Sequence, residues 1–349
     1  MVRGHAAVRA AAKDWTTFSS ALQGDADVRD YRQLPLEVDP PAHDAYRALL
    51  LPAFGRVEVG AMEPAFRTVA AALVREAVAR GRCDAVHDLA FPMVLQSLAI
   101  ALGRPQDVEE WRTWGLETWR VHADGTRDGE LLDRYLDRVI AEAVAAPDAA
   151  GDLYARLAAA RLDGRALSAS ELRGVIGLVL AGGRDTVVKL VAGAIWHLAQ
   201  APDERARLAA APSRLPVAID EWLRWLSPLP RMPRLLAAAA TIDGVHHEAG
   251  CLVAIDFASA NHDASIHDAP DVPRLDRRPN PHVAFGAGPH TCVGAHLARV
   301  QARVLLETLL GSDLPFALDG DCSIVWRPSD DPRDARVPAQ LHRVPIRFG

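Results

Sequence analysis

The sequence Phe285-Gly286-Ala287-Gly288-Pro289-His290-Thr291-Cys292-Val293-Gly294 places one cysteine inside a glycine-rich loop. A helical pattern, residues 295–310, begins directly behind it. Glycines 286, 288 and 294 let the backbone approach a flat partner closely or adopt a positive φ. Cys292 stands just ahead of the helix, where free N–H groups and the helix dipole stabilise a thiolate, which is a soft metal ligand. We therefore expect the chemistry of the chain to take place at this loop.

The residues of the loop allow more than one kind of site. Phe285 suits the edge of a planar cofactor, and His290 suits a hydrogen bond to an anionic group on that cofactor. A buried cysteine in a turn, or a nucleophilic cysteine with His290 as its base, fits the same spacing. The His-x-Cys spacing alone does not decide between them.

The composition is that of an ordinary globular protein. Of the 349 residues, 50% are hydrophobic and 24% are charged, and the net charge of −6 argues against a general attraction to nucleic acid. Four cysteines without a Cys-x-x-Cys pair exclude a disulfide framework. No apolar run reaches the roughly 20 residues of a membrane span, and the first 15 residues lack the apolar core of a signal peptide. We expect a reducing cytoplasm and no membrane partner.

The periodicity of apolar residues predicts a mainly helical chain with a minor sheet, in one domain covering residues 1–349. The region His122–Glu130 is polar and predicts an exposed loop. The tail and two short segments near residues 241–255 alternate as strands do. The predicted helices are 43–51, 63–80, 89–102, 108–121, 131–145, 172–198, 215–225 and 295–310.

The long helix 172–198 carries an interruption, Gly182-Gly183-Arg184-Asp185-Thr186. Two glycines inside a helix cost about 2 kcal/mol relative to alanine. Such a pair predicts a widened turn, or a backbone that must lie close to something. A kinked core helix with an incidental threonine and aspartate is the alternative reading.

At this point the sequence resembles the cytochrome P450 family. Phe285, Gly286, Gly288, His290, Cys292 and Gly294 match every fixed position of that family's haem-binding signature. The resemblance implies haem b (iron protoporphyrin IX) as cofactor, with Cys292 as the proximal ligand of the iron.

Three further segments resemble the family. Glu221-Trp222-Leu223-Arg224 is similar to a Glu-x-x-Arg pair that braces the cysteine loop. Val272-Pro273 stands where the family often has Arg-Phe, so the third partner of the brace is open among Arg274, Arg277 and Arg278. The interrupted helix is similar to the distal segment, in which Gly182 and Gly183 make room for dioxygen and Asp185 and Thr186 supply protons.

The segment Asp39-Pro40-Pro41-Ala42-His43-Asp44-Ala45-Tyr46-Arg47 also resembles a family motif. There the histidine and the arginine bind a haem propionate, for which a guanidinium fork is suited. Arg234 matches the other propionate arginine of the family, and His290 completes the set.

The resemblance implies a cytochrome P450-like fold that lacks the first helix and the opening sheet strands, with a short substrate-capping region at 122–130. It implies a haem-thiolate monooxygenase that inserts one oxygen atom from O2 into a small organic substrate. The chain carries no flavin or iron–sulfur segment, so a separate donor, a ferredoxin with its reductase, is expected. Arg299 and Arg303 are candidates for its docking patch, a solvated helix face being the alternative. A peroxygenase that uses hydrogen peroxide, and a haem-binding partner or sensor protein without catalysis, remain as alternative functions.

Overall fold

The computed structural model describes residues 1–21, 31–115, 130–148, 151–328, 331 and 334–349, together with the backbone of 120–121 and 127–128. Helices dominate it. They are α1 (His5–Lys13), α2 (Ala42–Phe54), α3 (Arg56–Arg80), α4 (Phe91–Leu102), α5 (Val108–Thr113), α6 (Glu130–Ala145), α7 (Leu153–Ala159), α8 (Ala169–Gly182), α9 (Asp185–Gln200), α10 (Pro202–Ala210), α11 (Leu215–Leu226), α12 (Phe257–Asn261) and α13 (Ala295–Leu310). The prediction of a mainly helical chain with a minor sheet is confirmed.

The strands are short and pair in antiparallel fashion. Their bounds are β1 (Phe18–Ser19), β2 (Arg82–Asp84), β3 (Arg120–Val121), β4 (Arg127–Asp128), β5 (Arg161–Leu162), β6 (Arg165–Ala166), β7 (Arg231–Leu236), β8 (Ala240–Ile242), β9 (Val245–His247), β10 (Leu252–Asp256), β11 (Phe316–Leu318), β12 (Ser323–Trp326), β13 (Pro338–Arg343) and β14 (Pro345–Phe348). One three-stranded sheet has the order β1-β7-β10 and another the order β11-β14-β2. The remaining strands form the pairs β3-β4, β5-β6, β8-β9 and β12-β13.

Local sequence signals explain several helix ends. Ser168 and Glu171 form a capping box at the start of α8, each side chain receiving a backbone N–H of the other. Gly81 ends α3 with φ of 69°, in the left-handed conformation that glycine adopts without strain. The end of α3 at Arg80 agrees with the predicted helix 63–80, whereas α8 begins at Ala169, ahead of the predicted start at 172.

The centre of the core is the apolar helix α4, which continues a π-helical turn at Ala85–Ala90. Within the described part of the chain, Ala85–Leu102 is the one stretch long and apolar enough to cross a membrane, but 78% of it is buried inside the protein. It packs against α3, α9 and α13. A buried hydrogen bond of 2.6 Å from the Gln301 amide to the Ser97 hydroxyl joins α13 to α4.

The predicted helix 108–121 was wrong at residues 114–115 and 120–121. Helix α5 ends at Thr113, and Gly115 follows with φ of 72°, a conformation that terminates a helix. Arg120–Val121 is instead a strand paired with Arg127–Asp128. The rest of the predicted loop at 122–130, like residues 22–30 and 116–119, lies outside the described residues, except for Glu130, which begins α6.

Candidate functional site

The cysteine loop, residues 285–292, is held in shape by its own backbone. The N–H of Cys292 donates to the carbonyl oxygen of Phe285 at 2.9 Å. Gly286 and Gly288 have φ of 74° and 73°, which only glycine adopts readily. A Cβ atom at position 288 would lie 2.5 Å from the carbonyl oxygen of Ala12 in α1, so this glycine also allows a close approach.

Cys292 opens onto accessible space, although protein atoms surround its sulfur on the other sides. The residue is exposed, yet burial raises the pKa of its thiol. The Gly294 N–H and the charges of Arg47 and Arg299 act in the opposite direction. Because a coordinated cation deprotonates a thiol outright, this sulfur suits a metal ion better than it suits a free thiolate.

Two histidines meet beside the loop. The rings of His43 in α2 and His290 lie with their centroids 4.4 Å apart. Burial, together with the charges of His43, Arg234 and Arg47, lowers the pKa of His290 to about 3. Among the described residues the Nε2 atoms of both rings are buried without a hydrogen-bond partner. Two buried nitrogens of this kind need an outside partner.

Arg234 in β7 lies in the same cluster and is 4% exposed. Burial lowers the pKa of its guanidinium, and the charge of Asp39 opposes that effect only in part. A buried cation of this kind is costly unless an anion pairs with it. A bound group with carboxylates would supply both this counter-charge and the partners for His43 and His290. The residues therefore fit the propionates of haem b.

A buried brace fixes the chain ahead of the cysteine loop. The guanidinium of Arg224 donates two hydrogen bonds of 2.8 Å to the Glu221 carboxylate, and Nε of Arg277 lies 3.0 Å from both of its oxygens. Burial alone would raise the pKa of Glu221, but the hydrogen bonds of Arg224, Arg274 and Arg277 lower it. Because Arg224 also donates to the carbonyl oxygens of Asn261 and Pro270, the brace ties α11 to the stretch that leads into the loop.

The third partner of the brace is thus Arg277. Arg274 contributes only its backbone N–H, at 2.8 Å from the carboxylate of Glu221. The pairing residue lies five positions beyond Val272, where the family often has its arginine. Two asparagines of the brace were not predicted from the sequence. The Asn280 amide donates to the Glu221 carboxylate, and the Asn261 amide oxygen accepts the N–H of Val283.

The interruption between α8 and α9 is real. α8 ends at Gly182, and α9 begins at Asp185 after Arg184, whose φ and ψ are −105° and −76°. A Cβ atom at Gly183 would lie 2.9 Å from the Val179 carbonyl oxygen and 3.2 Å from the Leu98 side chain, whereas one at Gly182 would meet nothing closer than 3.9 Å. The first glycine keeps a space open and the second lets α8 approach α4.

Thr186 lies in the first turn of α9. Its hydroxyl is 3.4 Å from the Gly182 carbonyl oxygen, the long hydrogen bond of a group that can turn to another partner. Asp185 is half-buried beside it. The pair stands at the open turn of the helix, as the motif predicted.

The chain has clear relatives. A family model described as Cytochrome P450 matches residues 214–312. A steroid C26-monooxygenase from Mycolicibacterium smegmatis is 31% identical over 308 residues, which are 84% of this chain and 76% of that protein. The erythromycin C-12 hydroxylase of Saccharopolyspora erythraea is 31% identical over 334 residues, 91% of this chain and 82% of that one. A solved structure of a carbohydrate active P450 superposes with a TM-score of 0.89 at 31% identity, over 99% of this chain and 91% of the other.

The chain belongs to the cytochrome P450 family. This P450 is accordingly a haem monooxygenase, an oxidoreductase whose family and fold imply haem b as cofactor. Its relatives use O2, organic substrates and redox partners. The predicted family and the P450-like fold class are confirmed.

The surface arginines of this P450 are less free than the sequence indicated. Arg299 donates to Asp220 at 2.8 Å and covers the ring of Phe285, with its Cζ 4.5 Å from the ring centroid. Arg303 pairs with Glu63 and Glu307. A basic docking patch built from these two arginines would have to act against carboxylates that already neutralise them.

Proposed function

We propose that residues 1–349 form one haem-thiolate domain that inserts one oxygen atom from O2 into a small organic substrate. Cys292 is the proposed iron ligand. The observation that carries this is the combination of the accessible Cys292 thiol with the Nε2 atoms of His43 and His290, which are buried without a hydrogen-bond partner among the described residues, and with the buried guanidinium of Arg234. The family supplies the monooxygenase chemistry; the roles of these residues are our assignment.

The proposed cradle divides between the two faces of the cofactor and its edge. His43, Arg47, Arg234 and His290 bind the propionates at the edge. Phe285, Gly286 and Gly294 line the proximal face around Cys292, and Gly182 and Gly183 line the distal face. Glu221 and Arg224 act at a distance, because they fix the chain that carries the loop.

Haem b, when bound, supplies the site at which O2 is reduced and its O–O bond is broken. The chain must then deliver protons to that site and exclude the rest of the solvent. We assign Thr186 as the hydrogen-bond donor at the open turn and Asp185 as the acid that passes protons inward. The electrons come from a separate donor, for which we propose a ferredoxin with its reductase. We propose a cytoplasmic location, consistent with relatives that are bacterial enzymes.

The decisive experiment is the absorption spectrum of the haem-loaded, reduced protein under carbon monoxide. Thiolate ligation predicts a strongly red-shifted Soret band that Cys292→Ala abolishes. Cys251→Ala is the matched control, because Cys251 is a half-buried cysteine directly ahead of β10, outside the cysteine loop, and should leave the band unchanged. A band that survives in Cys292→Ala would refute the assigned ligand.

Turnover then separates the two catalytic candidates. A monooxygenase requires the ferredoxin and its reductase, whereas a peroxygenase runs on hydrogen peroxide alone. Asp185 and Thr186 at the open turn favour the monooxygenase, because a peroxide-driven enzyme needs no such delivery of protons. Full activity with peroxide and none with the ferredoxin system would reverse that preference.

A further inference from the structure

Arg184, the residue between α8 and α9, is a fully buried arginine with an exposed fraction of 0%. Its side chain points away from the opening between the two glycines and into the core. There it lies between two aromatic rings, with Cζ 5.6 Å from the centroid of Phe91 and 5.5 Å from that of Trp114. A leucine or methionine would suit such a setting without any desolvation of charge.

The guanidinium reaches the C-terminal turn of α5. Nη2 donates to the carbonyl oxygen of Gly115 at 2.6 Å and to that of Trp111 at 3.3 Å. The Trp111 carbonyl belongs to α5 and also accepts the N–H of Trp114, and Gly115 lies just beyond the helix. A cation at the C-terminal end of a helix is favoured by the helix dipole. One side chain thus connects the break in the long helix to the end of α5.

The pairing is incomplete on the other side of the guanidinium. Nε and Nη1 are buried with no hydrogen-bond partner among the described residues. Burial lowers the pKa of Arg184 to about 10, even though the negative charge of Asp185 raises it. The group stays charged at neutral pH, so the fold keeps a poorly compensated cation next to the proposed proton-delivery pair. A group retained at such an energetic disadvantage is more readily explained by function than by stability.

We infer that Arg184 is a positioning residue for Asp185 and Thr186. Its guanidinium ties the helix break to the end of α5 and so fixes the backbone that carries Asp185 and Thr186. Whatever moves the α5 end therefore moves the proton-delivery pair with it. The inference rests on the proposed monooxygenase function and names a residue for which the family motif has no fixed identity.

The consequence can be measured without a known substrate. When no organic substrate is present, O2 that takes up two electrons and two protons leaves as hydrogen peroxide, and O2 that takes up four of each leaves as two water molecules. Well-placed proton delivery favours water, because it breaks the O–O bond. A displaced Asp185–Thr186 pair favours peroxide, and a displacement of about 1 Å is enough to slow a positioned step by roughly a hundredfold.

The experiment compares Arg184→Leu, Arg184→Lys and the wild type as haem-loaded proteins. Arg112→Leu is the matched control, because Arg112 belongs to the same turn of α5 but is half-exposed and paired with Glu109. Two quantities are measured: hydrogen–deuterium exchange of the backbone amides at 183–188 and 111–115, and the fraction of consumed O2 released as hydrogen peroxide, with a bacterial ferredoxin–reductase pair as donor.

Arg184→Leu should speed exchange at both segments together, by roughly tenfold, since the charged hydrogen bonds that join residue 184 to the end of α5 are lost. It should also raise the peroxide fraction severalfold, with Arg184→Lys in between and Arg112→Leu like the wild type. Wild-type exchange at 183–188 in Arg184→Leu would overturn the inference. So would faster exchange with an unchanged peroxide fraction, which is the result of a purely structural role.

A failure of the proposed monooxygenase function can be distinguished from a failure of the role inferred for Arg184. A wild-type protein without the thiolate spectrum would refute the assignment of Cys292. The exchange measurement needs no electron transfer and would still decide whether Arg184 ties the two segments.

Discussion

Thr186 is the side chain on which the proposed proton delivery depends most directly. Among the described residues its hydroxyl has only the long contact to the Gly182 carbonyl, so its removal should leave the helix intact. Thr186→Ala should raise the fraction of O2 released as hydrogen peroxide severalfold, because a positioned proton donor contributes about 10²–10⁴ in rate. Thr186→Ser keeps the hydroxyl and should stay close to the wild type. Equal peroxide fractions in all three proteins would remove Thr186 from the mechanism.

His267 lies behind the proximal side of the site and is 1% exposed, with neither ring nitrogen bonded to a described residue. Burial, together with the charges of Arg224, Arg277 and His5, lowers its pKa to about 4, although the charge of Glu221 acts in the opposite direction. The folded protein therefore keeps this imidazole neutral at pH values where the unfolded chain takes up a proton.

The sign of the resulting pH dependence follows from linkage. Between the unfolded pKa of about 6.5 and the folded pKa of about 4, the unfolded state binds more protons, so stability falls as the pH falls. His267→Phe should remove this loss and gain up to about 3 kcal/mol over the wild type at pH 4 relative to pH 7. Urea unfolding at several pH values measures it. His246→Phe, at an exposed histidine, is the control. An equal loss of unfolding free energy between pH 7 and pH 4 in the wild type and in His267→Phe would contradict the assigned role of His267.

The sequence predicted the site residues that stand together in short motifs. It did not predict contacts between residues that are far apart along the chain. The cysteine, its glycines and the Asp-Thr pair stand in short motifs, so the sequence predicted their grouping. Arg277 reaches Glu221 across 56 positions, and no local pattern distinguishes it from Arg274 or Arg278. The pairing of Arg299 with Asp220 was hidden for the same reason.

At the scale of elements, the contact between α8 and α4 makes Gly183 sensitive to size. A Cβ there would clash with the Val179 carbonyl oxygen and press on Leu98. Gly183→Ala should destabilise the protein by about 1–3 kcal/mol, the range for overpacking, and should shift the thermal midpoint downwards. The control is Gly60→Ala in α3, where a Cβ meets nothing within 4 Å; it should stabilise by about 0.4–1 kcal/mol. A neutral Gly183→Ala would mean that the two helices are free to separate.

Helices with a complete set of end signals were predicted closely. The Ser168 capping box and the left-handed Gly81 mark their ends in the sequence itself. The overextension of α5 has the opposite cause, because Trp114 and its neighbours continue the apolar pattern while the backbone turns at Gly115. A glycine in a helical pattern is compatible with either outcome until its φ is known.

The brace at Glu221 acts at the scale of the whole molecule, since it holds the stretch 262–283 against α11. Arg277→Leu should destabilise the protein by about 3 kcal/mol, because it removes one partner of a buried ion network. It should also speed release of haem to apomyoglobin. Arg274→Leu leaves the backbone N–H in place and removes only an exposed pair with Asp268, so it should change stability by less than about 1 kcal/mol.

If Arg277→Leu and Arg274→Leu were equally stable, the brace would depend on the backbone of residues 262–283 and not on the guanidinium of Arg277. Chemical denaturation of the haem-free proteins separates this effect from haem affinity.

The sheets belong to the same scale and were the least predictable part of the fold. β2 has three residues and pairs with β14, more than 260 positions away. β1 has two residues and is defined only by its register against β7. Segments this short have no periodicity to read, and the partners that stabilise them are chosen by the packing of the helices.

The packing of α1 against the cysteine loop has a consequence for the order of events in the cell. The His5 ring is hydrogen-bonded to the Pro281 carbonyl, 276 residues away, and the Gly288 backbone lies against Ala12. At about 5–20 residues per second, a ribosome needs on the order of 15 to 55 seconds to make the chain between them. The first helix must wait that long for its partner. We therefore expect haem to be captured only after synthesis of the chain is nearly finished.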